Sequence, residues 1–162
     1  MKNIFTLTVL ACLLLQCGGN TKVMQSPGIY DFTLESIQGD KITLSKLKGK
    51  IVILDFWATW CPPCRVAIPN LIKLYDKYQS QDLIVLGIAL DDKNDVIKLA
   101  QEMKVNYPIL LDDKTTAKKY EIHSIPTLYL LDKKGKQVHK EIGFTEQGFK
   151  QIEEKVVELL NE

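Results

Sequence analysis

The sequence contains little of what metal centres and nucleic-acid interfaces require. It has four cysteines and two histidines in 162 residues, and its net charge is only +1, without a long basic run. A structural zinc site needs about four ligands, usually including a second Cys/His pair at short spacing. No cysteine follows Cys64, and His123 and His139 lie far apart in the sequence. These shortages argue against a zinc centre and against a nucleic-acid partner.

Hydrophobic runs long enough to cross a membrane are also missing. The apolar stretch from Ile4 to Leu15 has twelve residues and follows Lys2. It is too short to span a bilayer comfortably, so residues 1–16 are predicted to be a secretory signal peptide. The segment LLQCG at its end resembles a bacterial lipobox, and we expect Cys17 to be lipidated. Gln16 departs from the small residue usual at that position, and the alternative is ordinary cleavage that leaves a soluble periplasmic protein.

The predicted signal peptide and lipidation would account for two of the four cysteines, Cys12 and Cys17. Cys12 would be removed with the signal peptide, which leaves Cys61 and Cys64 as the free thiols of the mature chain. Residues 17–27 are small and polar and are predicted to be a lipid-anchored tether. Residues 28–162 are expected to form one domain, since 46% hydrophobic and 25% charged residues suit one compact core.

The organising motif lies in residues 51–69, IVILDFWATWCPPCRVAIP. An apolar run typical of a buried strand precedes the cysteines, and apolar residues at spacings of three and four follow them. Cys61 and Cys64 therefore lie where a strand ends and a helix begins, and Pro62 and Pro63 suit the first helical turn. Free N–H groups and the helix dipole favour a thiolate at Cys61, the nucleophile of disulfide exchange. The alternative, a structural disulfide, would constrain the unfolded chain little across a four-residue loop.

Geometry suggests an order of events within the pair. Cys61 precedes the helix and is expected to face solvent, whereas Cys64 lies one turn inside. We therefore predict Cys61 as the attacking thiol and Cys64 as the resolving thiol, with a mixed disulfide as the intermediate.

The motif closely resembles the active-site segment of thioredoxin-fold proteins. Its WCPPC form is most similar to the TlpA/ResA-like thiol–disulfide oxidoreductases of the redoxin family, and the resemblance runs from about Ser26 to the C-terminus. It implies an α/β fold: a mixed central sheet flanked by helices on both faces, with an N-terminal β-hairpin. It also implies that Pro126, within Ile125-Pro126-Thr127, is cis and lies against the cysteines, and that the Ile125 backbone pairs with an extended substrate. Trp60, Pro62 and Pro63 are expected to complete the substrate-binding surface.

Asp55 precedes Cys61 by six residues, the spacing of the buried aspartate in thioredoxins, although many TlpA/ResA-like proteins have a neutral residue there. A carboxyl buried under the disulfide would have a raised pKa and could take the proton of Cys64. The alternative is a strand-end aspartate that is hydrogen-bonded to backbone or water. Asp91 and Asp92 follow a predicted strand, and we expect them to cap the next helix.

Hydrophobic periodicity and turn residues predict the remaining elements. The predicted strands are 32–34, 42–44, 51–54, 83–90, 107–111, 128–131 and 137–142, and the predicted helices start after Cys64 and cover 94–104, 115–120 and 146–160.

The resemblance implies an envelope thiol–disulfide oxidoreductase that exchanges a Cys61–Cys64 disulfide with protein thiols. It would be a monomer without a further cofactor, acting as a reductant as in cytochrome c maturation, and a membrane thiol donor would re-reduce it. One alternative is a thiol peroxidase of the redoxin family, which the position of Thr59, two residues before Cys61 instead of three, disfavours. Another is a non-enzymatic lipoprotein that binds Cu(I) through its two thiols.

Overall fold

The computed structural model describes residues 30–112 and 115–162, which form two sheets and four helices. The predicted signal peptide, Cys17 and the tether lie outside the described residues. The strands are β1 (Thr33–Glu35), β2 (Lys41–Thr43), β3 (Ile51–Trp57), β4 (Leu83–Ala89), β5 (Ile109–Leu111), β6 (Thr127–Leu131) and β7 (Gln137–Ile142), and the helices are α1 (Pro62–Tyr78), α2 (Lys93–Glu102), α3 (Thr116–Lys119) and α4 (Glu146–Leu160).

The central sheet has five strands in the order β5-β4-β3-β6-β7. β3 runs parallel to β4, and β4 parallel to β5, whereas β6 is antiparallel to both β3 and β7. β3 is therefore central, and all seven of its residues are buried. A strand covered on both faces is expected to be apolar throughout, which makes the single charged residue in β3, Asp55, conspicuous.

Alternate residues of β3 belong to two separate cores. Ile51, Ile53 and Trp57 pack with residues of α1, α2 and α4, so three helices cover this face. Val52, Leu54 and Phe56 face the other side, where β1, the short 3-10 turn of residues 44–47, and residues near α3 cover the sheet. The predicted mixed sheet with helices on both faces and an N-terminal hairpin is confirmed, although the second face has only the short helix α3.

Several predicted boundaries need correction. The second N-terminal strand ends at Thr43 instead of Leu44, because a 3-10 turn begins at Leu44. β5 begins at Ile109, since Pro108 has no N–H to donate to a ladder. The last helix, Glu146–Leu160, has the predicted bounds, and the Thr145 side chain caps it by accepting the Gly148 N–H.

Candidate active site

Cys61 and Cys64 form a disulfide at the N-terminus of α1, with an S–S distance of 2.06 Å and a Cα–Cα distance of 5.3 Å. Cys61 is the N-cap residue, and its Sγ accepts the Cys64 N–H over 3.2 Å. Pro62 and Pro63 occupy the first helical turn, where a missing N–H leaves no carbonyl unpaired. The predicted strand–cysteine–helix arrangement is confirmed.

The disulfide lies beneath the surface. Cys64 is fully buried and Cys61 is 2% exposed, so the expectation that Cys61 faces solvent is wrong. The Cys61 N–H donates to the Ala58 carbonyl over 3.2 Å, which turns this loop back toward the core. The neighbouring Trp60, by contrast, is 71% exposed, and Pro62 is exposed as well. The sulfurs therefore lie below a rim of exposed rings.

The segment before β6 closes the other side of the disulfide. The Ile125–Pro126 peptide bond is cis, as predicted. The Ile125 carbonyl oxygen lies 3.7 Å from Cys61 Sγ. The Gly143 N–H donates to the Pro126 carbonyl over 2.7 Å, and the Thr127 hydroxyl donates to the Ser124 carbonyl over 2.6 Å. These bonds hold the backbone of Ile125 against the sulfur of Cys61.

Asp55 is fully buried in the middle of the sheet, where Gly87 and Leu128 are its neighbours on the adjacent strands. Burial raises the pKa of Asp55 to about 7, which confirms the predicted direction. Neither carboxyl oxygen has a hydrogen-bond partner among the described residues, so the backbone-bonded form of the alternative is wrong, while its water-bonded form stays a prediction. Two effects raise the pKa of the Tyr107 hydroxyl. The larger is its burial, and the smaller is the charge of the Asp55 carboxyl.

Gly87 also belongs to this site, although no local pattern in the sequence indicates it. A Cβ at Gly87 would lie 3.0 Å from Trp57 Nε1 and 3.2 Å from Tyr107 Cε2. No side chain therefore reaches Asp55 from this neighbouring position, and Trp57 Nε1 also lacks a partner within residues 30–112 and 115–162. Only the register between β3 and β4 brings Gly87 opposite Asp55.

The two aspartates after β4 have different partners. Asp92 caps α2, as predicted, by accepting the Asn94 N–H over 2.8 Å. The same prediction is wrong for Asp91. Its Oδ2 accepts the Thr59 N–H over 2.7 Å and also accepts the Thr59 hydroxyl. Asp91 thus contacts the loop that leads to Cys61.

The described part of the chain has neither a membrane span nor a metal cluster. No helix there is long and apolar enough to cross a membrane. No group of three or more histidine, cysteine or acidic side chains is arranged to hold a metal ion in the same residues.

A mixed sheet of this order, with a Cys-x-x-Cys disulfide at the start of a helix, defines a thiol–disulfide oxidoreductase with a thioredoxin-like fold. Residues 28–140 match the AhpC/TSA family, and the chain belongs to that family.

Individual relatives agree with this class. The chain is 35% identical to the thiol-disulfide oxidoreductase ResA of a Bacillus cereus strain over 125 residues, which are 76% of this chain and 71% of ResA. A crystal structure from Chlorobium tepidum, described as a thiol:disulfide interchange protein DsbE, has a TM-score of 0.77 at 30% identity and covers 82% of this chain and 95% of its own. The thioredoxin domain of a thiol-disulfide oxidoreductase from Bacteroides vulgatus has a TM-score of 0.72 at 28% identity, over 80% of this chain and 95% of that one.

Proposed function

We propose that the protein reduces disulfides of other proteins in the bacterial envelope through the Cys61–Cys64 pair. The observation that supports this function best is the position of the pair. The disulfide lies at the N-terminus of α1, and the Ile125 carbonyl is 3.7 Å from Cys61 Sγ. A helix N-terminus favours a thiolate, and an adjacent backbone segment can pair with an extended substrate.

The proposed reaction uses the two cysteines in sequence. The Cys61 thiolate attacks one sulfur of a substrate disulfide, and the other substrate sulfur leaves as a thiolate that takes up a proton. Cys64 then loses its proton and attacks Cys61, which releases the second substrate sulfur. Two electrons pass to the substrate, which becomes a dithiol, while Cys61 and Cys64 become a disulfide. A dithiol donor in the membrane would regenerate the reduced pair.

Asp55 is proposed to accept the proton of Cys64. Its carboxyl belongs to the face of the sheet that α1 covers, and its pKa of about 7 lies near neutral pH. A base with such a pKa can take a proton and return it, since neither form is strongly preferred. Burial without a hydrogen-bond partner among residues 30–112 and 115–162 leaves the carboxyl available for this transfer.

The substrate is proposed to dock on the rim of the site. Trp60, Pro62 and Pro63 are exposed next to the disulfide, and Ile125 is half-buried beside it. Apolar rings on the loop before α1 and on its first turn offer contact area at low conformational cost. A substrate strand laid along Ile125 would bring its disulfide toward Cys61.

The envelope location is inferred from the N-terminus. A signal peptide over residues 1–16 and lipidation of Cys17 would place the domain on the outer side of a membrane, tethered by residues 17–27. Periplasmic compartments are held oxidising, so a reductant working there requires a membrane thiol donor. We infer a role like that of reductants in cytochrome c maturation, performed by a monomer without a further cofactor.

Trapping of the intermediate tests this function. Purified Cys64→Ser protein, mixed with oxidised insulin, is expected to accumulate a mixed disulfide at Cys61 that reducing agent releases. Cys61→Ser is the matched control and is expected to trap nothing. Wild-type protein with dithiothreitol should accelerate insulin reduction, and equal rates with the Cys61→Ser variant would contradict the proposal.

A thiol peroxidase is a second candidate, which membership in the AhpC/TSA family favours. Consumption of hydrogen peroxide by the reduced protein, faster than insulin reduction at equal enzyme concentration, would support that candidate over the first.

Binding of Cu(I) to the reduced pair is tested in the same preparation by competition with a chromogenic Cu(I) chelator.

A further inference from the structure

Asp91 lies at the end of the sheet that carries the disulfide. β3 and β4 are parallel, and the Leu90 N–H donates to the Trp57 carbonyl over 3.0 Å, one residue past the end of β4. The next residue, Asp91, therefore lies beside the loop that connects β3 to α1. This loop contains Thr59, Trp60 and Cys61.

The carboxylate of Asp91 holds that loop through Thr59. One oxygen, Oδ2, accepts both the backbone N–H and the hydroxyl of Thr59. One carboxyl oxygen can accept both bonds, because it has two acceptor lone pairs. The Cα atoms of Thr59 and Cys61 are at most about 7 Å apart, since they are two residues from each other. The carboxylate of Asp91 is thus bonded to the loop two residues before Cys61.

Only one of the two oxygens of this carboxylate is bonded among the described residues. The second oxygen, Oδ1, is buried and has no hydrogen-bond partner within the described ranges. The adjoining surface pocket of about 210 Å³ is lined by two cations, Arg65 and Lys98, and two anions, Asp95 and Glu102. These four charges cancel in sum. The field that Asp91 exerts on Cys61 therefore opposes that of the α1 dipole, which favours a thiolate.

We propose that Asp91 is a positioning residue that makes the Cys61–Cys64 pair more reducing, by holding Thr59 and by disfavouring the Cys61 thiolate. This inference rests on the proposed thiol–disulfide exchange. When dithiothreitol reduces the pair, two electrons break the S–S bond, and dithiothreitol becomes a cyclic disulfide. Of the two thiol protons of dithiothreitol, one is transferred to Cys64 and one is released to the buffer. Cys61 is left as a thiolate. A nearby negative charge raises the free energy of that product and so favours the disulfide form of the protein.

The experiment measures the equilibrium of the full chain with reduced and oxidised dithiothreitol at about pH 7. Asp91→Asn keeps an acceptor for Thr59 and removes the charge. We expect the equilibrium constant to shift about fivefold toward the reduced protein, which is about 20 mV at 29.6 mV per tenfold change. The Cys61 thiolate, followed by its absorbance at about 240 nm, should form at a lower pH. Asp92→Asn is the matched control, because it removes the same charge one residue away without touching Thr59.

Two results would overturn the inference. One is an Asp91→Asn protein whose equilibrium constant and thiolate titration match those of Asp92→Asn and wild type. The other comes from Thr59 and is readable even if Asp91→Asn does not fold. Thr59→Val removes one bond to the carboxylate and should shift the equilibrium with dithiothreitol toward the reduced protein, and Thr59→Ser should restore the wild-type value; equal values for all three would remove the role of the tether. If wild-type protein itself fails to reduce insulin, the proposed function fails instead, so the two failures are distinct.

Discussion

Replacing Asp55 with asparagine should stabilise the folded protein in a manner that depends on pH. Burial raises the pKa of Asp55 from 3.8 to about 7. Between those two pH values the folded state therefore binds more protons than the unfolded state, and stability falls as pH rises. The loss begins near the unfolded pKa and is largely complete above the folded pKa. At 1.36 kcal/mol per pH unit, the ionised carboxyl costs about 4 kcal/mol at high pH.

Asparagine has nearly the shape of the protonated carboxyl and no charge. Asp55→Asn should therefore leave stability nearly unchanged at about pH 4 and raise it by about 4 kcal/mol at about pH 8. Urea unfolding of the oxidised protein, followed by fluorescence, measures this difference, because Trp57 is buried. With about 2 kcal/mol per molar urea for a domain of this size, the midpoint should move by about 2 M at the higher pH.

The control variant is Asp40→Asn, since Asp40 is exposed. It should not change the midpoint at either pH. Equal gains for Asp55→Asn at both pH values would show that packing, and not charge burial, explains the effect. No gain at about pH 8 would refute the reasoning altogether.

The same variant tests the proposed role in proton transfer. Without the carboxyl, resolution of the mixed disulfide by Cys64 should slow by about a hundredfold near neutral pH. Rapid-mixing measurements with oxidised insulin between about pH 6 and pH 9 follow this step. Equal rates for variant and wild type across that range would remove Asp55 from the reaction, whatever its effect on stability.

Two other variants test the exposed ring of Trp60 and the close packing at Gly87. Trp60→Ala should raise KM for insulin about five- to tenfold, while reduction by dithiothreitol and stability stay unchanged, because the ring is 71% exposed. Val66→Ala is its control, another exposed apolar residue of the same region, and an equal rise in KM there would speak against a specific role for Trp60. Gly87→Ala should lower the free energy of unfolding by about 1–3 kcal/mol, since its Cβ would come within 3.0 Å of Trp57 Nε1; an unchanged urea midpoint would count against that contact.

Much of the site could be predicted because its signals are local in sequence. The change from strand to helix pattern at Cys61 placed the cysteines correctly, and the resemblance of the Ile-Pro-Thr segment to thioredoxin-fold proteins implied the cis peptide bond at Pro126. Asp55 was identified by its resemblance to the buried aspartate of thioredoxins, which has the same spacing to the first cysteine. Helix α4 has one apolar stripe and a threonine cap, so its bounds could be predicted from local pattern alone.

What could not be predicted depends on how distant segments align. Gly87 lies opposite Asp55 only through the register of β3 and β4, and a glycine inside an apolar run carries no sign of that neighbour. Asp91 and Asp92 are chemically identical, and spacing alone does not tell which of them caps α2. Val66 is apolar and helical, yet it is 53% exposed because it shares the solvent face of α1 with Pro62 and Pro69.

The burial of Cys61 affects which thiols exchange with it readily. A sulfur that is only 2% exposed and has the Ile125 carbonyl 3.7 Å away exchanges more slowly with small thiols than an open one would, because exchange rates depend on access. A partner protein that docks on the rim spends far longer next to the sulfur than a diffusing small molecule does. Burial of the disulfide thereby favours exchange with a docked partner over exchange with small thiols.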